Sequence, residues 1–169
     1  MIFVTVGTHE QPFDRLLAEV DKLRGEGVID EPVVMQTGFS VYNPRYCEKH
    51  KLLSYPEMAE YVAKARIVIT HGGPASFIMP LQIGKIPIVV PRQSKFNEHV
   101  NNHQVDFTRA VAARMGNIIP VYDISELEKV IVNYDAIVLN ANNIICNNNK
   151  QFNNKLEILI DNLFEDDDD

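Results

Sequence analysis

The sequence predicts an α/β fold, a mostly parallel sheet flanked by helices. Three observations carry this. Short β-branched runs recur along the chain, among them Ile2 to Val6, Arg66 to Thr70 and Ile86 to Val90. Their apolar centres suit strands covered on both faces. Segments with apolar residues at helical spacing lie between them, and glycine or proline marks most junctions. Strands alternating with helices imply βαβ units, so the arrangement is Rossmann-like.

Each element has its own justification. Ile2 to Val6 closes at Gly7. Phe13, Leu16, Leu17, Val20 and Leu23 then follow a helical stripe, with Asp14, Arg15, Glu19, Asp21 and Lys22 on the other face, and Gly25 and Gly27 mark its end. Pro32 to Gln36 reads as a second strand ended by Thr37-Gly38. Tyr42 to Lys51 has no clear period and reads as a loop, and Lys51 to Ser54 as a weak strand. Pro56 opens a helix through Ala65, because proline suits the first helical turn. Arg66 to Thr70 is a strand, Pro74 to Ile83 a helix containing Pro80, and Ile86 to Val90 a strand between prolines. Asn97 to Met115 reads as a helix stopped by Gly116. Ile118 to Val121 is a last strand and Ile124 to Val132 a short helix. The Asn-rich stretch 140–154 reads as a linker before a final helix near Lys155 to Phe164.

The chain has 169 residues, 46% of them hydrophobic, enough for one sizeable core. A single domain over 1–164 is expected, followed by an acidic, disordered tail at 165–169. Net charge is −7; setting the tail aside leaves 18 acidic against 16 basic residues, a net of −2. There is no basic footprint for duplex nucleic acid, so no nucleic-acid partner is expected. Cys47 and Cys146 lie far apart without a CxxC pair, which fits a reducing compartment. The first residues read as a strand and not a signal peptide, and no apolar run is long enough to span a membrane.

Ligands of such sheets bind beyond the carboxyl ends of the strands. That rule places Gly7-Thr8-His9, Gln36-Thr37-Gly38 and His71-Gly72-Gly73 on one rim. The stretch "HGGPAS" puts two glycines and Ser76 before a helix N-terminus, where backbone N–H groups and the helix dipole favour a phosphate. The alternative is a tight crossover turn with no ligand. No Walker A pattern is present, and no GxGxxG follows the first strand. Thr8 suits either a phosphate or a helix cap. His9 and Glu10 are titratable groups on the same rim, each a candidate base. His99 and His103 share a helical spacing, but no third ligand is evident and no metal is expected. Asn102, His103 and Gln104 offer donors and acceptors suited to sugar hydroxyls. Arg92 and Lys95 are placed either to meet an anion or as ordinary surface charges.

Taken together, "VTVGT", "HGG", "GKIPIVVPR" and "NNHQ" resemble the glycosyltransferase family 28 C-terminal domain over about Met1 to Met115. More narrowly, they resemble small bacterial exopolysaccharide and capsule transferase subunits of the Alg13-like type. The resemblance implies one half of a GT-B glycosyltransferase, the half that binds the nucleotide-sugar. It implies transfer of a hexose from a UDP-sugar with inversion, no metal or other cofactor, and a lipid-linked oligosaccharide as acceptor. It also implies a separate, membrane-anchored Alg14-like subunit, activity only with that partner, and a cytoplasmic location at the inner face of the plasma membrane. A non-catalytic, nucleotide-sugar-binding or regulatory subunit is the alternative, and homo-oligomerisation stays open.

By the same resemblance, Gly7 and Thr8 match a phosphate-side loop and Gln36 and Gly38 a Gln-x-Gly segment near the donor. Ser54, Tyr55 and Met58 fall where the family holds the uracil. Gly72, Gly73 and Ser76 match the diphosphate loop, and His103 and Gln104 a pair contacting the donor sugar. The chain departs from the pattern at Met79, where many relatives carry a ribose-binding glutamate.

Overall fold

The structure is a computed structural model, and it describes residues 1–141. These residues form a six-stranded sheet in the order β3-β2-β1-β4-β5-β6. The strands are β1 (Ile2–Thr5), β2 (Val33–Gln36), β3 (Glu48–His50), β4 (Ile67–His71), β5 (Ile88–Val90) and β6 (Ile119–Pro120), and every pairing is parallel. The helices are α1 (Asp14–Gly25), α2 (Tyr55–Lys64), α3 (Pro74–Gln82), α4 (His103–Met115) and α5 (Leu127–Val132). Residues 134–141 are helical as well. The Rossmann-like parallel sheet flanked by helices is therefore as expected.

Alternation along β1 divides the core. Ile2, Val4 and Val6 face α1 and α5 through Leu16, Leu17, Val20 and Leu127. Phe3 faces the other way and packs with Val34, Val62 and Val68 beneath α2. Phe77, Val89 and Ile118 continue that second layer between α3 and α4. Each such side chain, fully withdrawn from water, contributes about 1.5–3 kcal/mol.

Four local differences from the sequence reading have physical causes. The edge strand is Glu48–His50, pairing with Val34 to Gln36, and not Lys51 to Ser54. Its polar composition suits an exposed edge and hides it from an apolar-pattern search. Helix α4 starts at His103, six residues after Asn97, because side chains between them take the backbone bonds. Asn97 sits at φ 58°. Asn102 Oδ1 accepts from the amide and hydroxyl of Ser94, both at 3.0 Å, and Asn101 Oδ1 accepts from the His103 amide. Such local bonds compete with helix formation.

Asp21, read as part of a solvated helix face, is instead buried. It accepts from the Tyr42 hydroxyl at 3.0 Å and from the amides of Arg45 and Tyr46 at 2.9 and 2.8 Å, pinning the 42–47 loop to α1. Finally, residues 134–141 are helical; no element was expected over 133–139, and Asn140, where the linker was expected to begin, lies inside that segment. The remainder of the Asn-rich stretch, the last expected helix and the acidic tail lie outside the described residues.

Two further contacts fix α2. Ser54 donates through its amide and hydroxyl to the Glu57 carboxylate at 2.7 and 2.6 Å, at the helix start. At the other end the Lys85 ammonium donates to the carbonyls of Val62, Ala63 and Ala65 at 2.8, 2.6 and 2.5 Å. These are the last-turn acceptors that a helix leaves unpaired.

Candidate functional site

Because all six strands run the same way, the ends of β1, β2 and β4 meet on one rim. A cleft of about 470 Å³ opens there. Gly7, Thr8 and His9 line one side, Gln36, Tyr55 and Met58 a second, and Gly73, Ser76 and Met79 a third. Thr5, Leu53, His71, Pro74 and Ala75 complete it. Residues from four separated segments of the chain thus converge as the sequence reading placed them. Glu10, Gly38, Ser54, Gly72, His103 and Gln104 do not line this cleft.

The glycines are explained by a side chain to which the sequence reading gave no role. His71 ends β4, and its imidazole lies where a Cβ on either Gly7 or Gly73 would stand. Gly7 also has φ 74°, a left-handed backbone that favours glycine. A Cβ on Gly38 would sit 2.5 Å from the Gly7 carbonyl oxygen. Gly38 therefore supports the first turn from behind. His71 itself is buried, with Nδ1 unpartnered. Burial, reinforced by the nearby Arg92 charge, pushes it down to about 4, so the ring is neutral at physiological pH.

The register Thr5↔Gln36 brings two polar side chains together beneath the cleft. The Thr5 hydroxyl donates to Gln36 Oε1 at 2.7 Å and accepts from the Gly7 amide at 3.2 Å. Gln36 therefore keeps its Nε2 donors for a ligand. On the opposite wall α3 begins with Pro74, which has no N–H to satisfy, while Gly73, Ala75 and Ser76 lie at the positive end of the helix. This wall has the chemistry of an anion site. Ser54, by contrast, commits its hydroxyl to the α2 cap, so only Tyr55 and Met58 of the expected base-binding group reach the cleft.

Gly72 and Gly73 face different ways. Gly72 packs against α4, where a Cβ would come 2.9 Å from Thr108 Oγ1 and 3.0 Å from Gln104 Cβ. Its amide donates to Gln104 Oε1 at 3.1 Å, as does the Arg92 amide at the same distance. Gln104 thus ties two strand ends together and presents its remaining donors outward. With Gly72, Pro74, His103, Asp106 and Phe107 it lines a second cleft of about 460 Å³. Pro74 borders both clefts, so the expected nucleotide-side and sugar-side groups flank one turn.

Arg92 is neither an anion receptor nor a surface charge, for it is only 1% exposed. Its guanidinium donates to the carbonyls of Gln11, Pro12, Glu98 and Val6 at 2.7, 3.1, 3.1 and 2.9 Å. Burial lowers it to about 10, which leaves it charged at neutral pH. The buried Glu98 balances it electrostatically and takes a two-pronged bond from Arg15 at 2.8 and 2.9 Å. This cluster sets the turn after β1 against the segment after β5.

Of the two candidate bases, His9 lines the cleft and Glu10 does not. The His9 ring lies 5.0 Å from that of His99. Partial burial and the Arg92 charge hold His9 below the ordinary histidine range, favouring the neutral ring. Its Nδ1 accepts from the Gln11 amide at 3.1 Å. The basic lone pair is thereby occupied, and a ring rotation is needed before it faces an incoming hydroxyl. Among the described residues, no group of three or more His, Cys, Asp or Glu side chains is arranged to hold a metal ion, and no helix is long and apolar enough to cross a membrane.

The fold agrees with what comparison with known proteins finds. The chain is similar to a solved glycosyltransferase of kitacinnamycin at 16% identity and a TM-score of 0.61, covering 85% of this chain and 38% of that one. It is also similar to the glycosyltransferase SnogD from Streptomyces nogalater at 19% identity and a TM-score of 0.55, covering 83% of this chain and 36% of that one. The likeness is one of fold, and the chain spans less than two-fifths of either protein's length. Among curated proteins no sequence matches significantly. The model of the glycosyltransferase family 28 C-terminal domain matches residues 1–163, nearly the whole chain, and the protein therefore belongs to that family.

Proposed function

We propose that the chain is the donor-binding, catalytic subunit of an inverting, two-subunit GT-B glycosyltransferase. It moves a hexose from a UDP-sugar to a lipid-linked oligosaccharide in exopolysaccharide or capsule synthesis. The observation that carries this is the convergence of Gly7, Thr8, Gln36, Tyr55, Gly73 and Ser76 on one cleft with a helix N-terminus in its wall. In this reading the diphosphate lies against Gly73 and Ser76, the base against Tyr55 and Met58, and the sugar reaches past Pro74 toward His103 and Gln104. Negative charge grows on the departing UDP as the glycosidic bond breaks. Preorganised N–H donors and the helix dipole stabilise that charge without a metal. His9 takes the acceptor proton after turning Nδ1 into the cleft. An Alg14-like, membrane-anchored subunit supplies the second half and holds this one at the inner face of the plasma membrane.

Met79 favours a second reading. It lines the cleft where many relatives carry a ribose-binding glutamate, and a thioether offers no such bidentate contact. A nucleotide-sugar-binding subunit without catalysis is the corresponding function. Calorimetric titration with UDP, GDP and ADP separates the outcomes. Selective binding of UDP is expected; silence toward all three, with the partner subunit present, removes the donor-site assignment.

A further inference from the structure

The loop between β2 and β3 presents a surface that the donor cleft does not use. A cleft of about 490 Å³ there is lined by Phe39, Val41, Tyr42, Asn43, Lys49 and Lys51. Tyr42 and Asn43 also border the neighbouring hollow, which holds Arg45 and Tyr46. Val41 is 81% exposed, Tyr46 61%, Leu52 50% and Phe39 43%. Four large apolar side chains therefore stand in water along one short stretch. None of the cations among them forms an ion pair within the described residues. The Lys49 ammonium meets Asn43 Oδ1, and that of Lys51 lies 5.7 Å from the centroid of the Phe39 ring. Asp21 and Glu26 border the hollow that holds Arg45, and Asp14 bonds the amides of Val41 and Tyr42, whereas the cleft that holds Lys49 and Lys51 has no acidic residue in its lining, within a chain whose net charge is −7.

We propose that this surface docks on an anionic lipid bilayer. Exposed Phe, Tyr, Leu and Val interleaved with Lys and Arg match the chemistry of the membrane interface. The apolar groups enter the headgroup–acyl boundary, while the cations stay with phosphates at the same depth. Protein interfaces share the enrichment in aromatic residues and arginine, but their cores are depleted of lysine, two of which stand here. Local charge is needed because the chain as a whole is repelled by an anionic membrane, and the field of such a surface fades within about 10 Å. The surface also has a fixed relation to the donor cleft, since Gly38 lines the first and packs directly on Gly7 of the second. Docking through 39–52 thus sets the donor cleft beside the docked surface.

The test is co-sedimentation of the full chain with vesicles of phosphatidylcholine alone and with 30% phosphatidylglycerol, at low and high salt. Binding only to the anionic vesicles, weakened by salt, is expected. The double variant Lys49→Glu/Lys51→Glu lowers the partition coefficient by roughly tenfold or more, and Phe39→Ser/Val41→Ser by a similar factor. Lys129→Glu, elsewhere on the surface, leaves it within about twofold. Unchanged melting temperatures confirm that these exposed changes preserve the fold. No binding to anionic vesicles, or an equal loss from Lys129→Glu, overturns the proposal. Retention of binding in both double variants does so as well. The assay contains no nucleotide, so its outcome is independent of the UDP titration.

Discussion

The buried imidazole between the two glycine turns makes stability depend on pH in a calculable way. His71 titrates near 4 in the folded chain against an ordinary value of 6.5. As pH falls through 6.5 the unfolded chain takes up a proton there and the folded chain does not. Stability therefore falls with pH below 6.5 and levels off once pH drops below the folded value. Above 6.5 both states are neutral and the term vanishes. The full shift corresponds to about 3 kcal/mol, of which about 2 kcal/mol is lost between pH 8 and 5. Carboxylates that are ion-paired or hydrogen-bonded, such as Asp21 and Glu31, have lowered pKa values and add their losses at more acid pH. His9 is shifted in the same direction as His71 but is exposed, so its share is small. The assay is urea unfolding at half-unit steps from pH 8 to 5, in the wild type and in His71→Asn. The variant is less stable throughout, and its profile is flatter by about 2 kcal/mol across that range. Parallel profiles would refute the reasoning. So would an NMR titration in which the His71 ring protonates near 6.5.

Other perturbations test neighbouring features. Gly73→Ala forces a methyl group into the His71 ring and destabilises the fold by about 1–3 kcal/mol, with weaker UDP binding; melting curves and calorimetry measure the two effects. Arg92→Met leaves the carbonyls of Val6, Gln11, Pro12 and Glu98 without their donor and removes one of the two cations beside the Glu98 carboxylate, Arg15 being the other. A loss of about 3–5 kcal/mol in denaturant unfolding is expected, and Arg92→Lys recovers only part of it because one ammonium cannot span four acceptors. Gln104→Ala frees two backbone amides and lowers stability by about 1–2 kcal/mol. It reduces kcat for transfer more than UDP affinity, and equal losses would remove the sugar-contact role. Met79→Glu introduces a carboxylate at the mouth of the cleft and raises UDP affinity about tenfold if the ribose lies there.

The sheet was legible because its signal is redundant. β1, β4 and β5 are apolar over nearly their whole length, and glycine or proline brackets them. Convergence of Gly7, Gln36 and Gly73 followed from the parallel-sheet rule alone. What escaped reading depends on partners distant in sequence. Strand β3 is polar and exists through its pairing with β2. The start of α4 is decided by three asparagine and serine side chains, which a helical period does not reveal. Arg92 was expected to meet an anion or to be a surface charge, because nothing in "VPRQ" announces four carbonyls waiting from three other segments. Nor does "HGG" disclose that its histidine fills the space left by both glycine turns. The register Thr5↔Gln36 was the one available clue to the cleft floor, and it requires knowing which strands are neighbours.

Asp21 has a consequence for the loop it holds. One carboxylate on α1 binds two amides and a hydroxyl of the 42–47 segment, so that segment reaches its shape during folding and not on meeting a partner. A preorganised surface gives up little conformational entropy when it binds. Asp21→Asn keeps the size of the side chain but exchanges one acceptor oxygen for a donor. The 42–47 loop would then sample many shapes, and any association through it would slow and weaken although no contacting residue had changed.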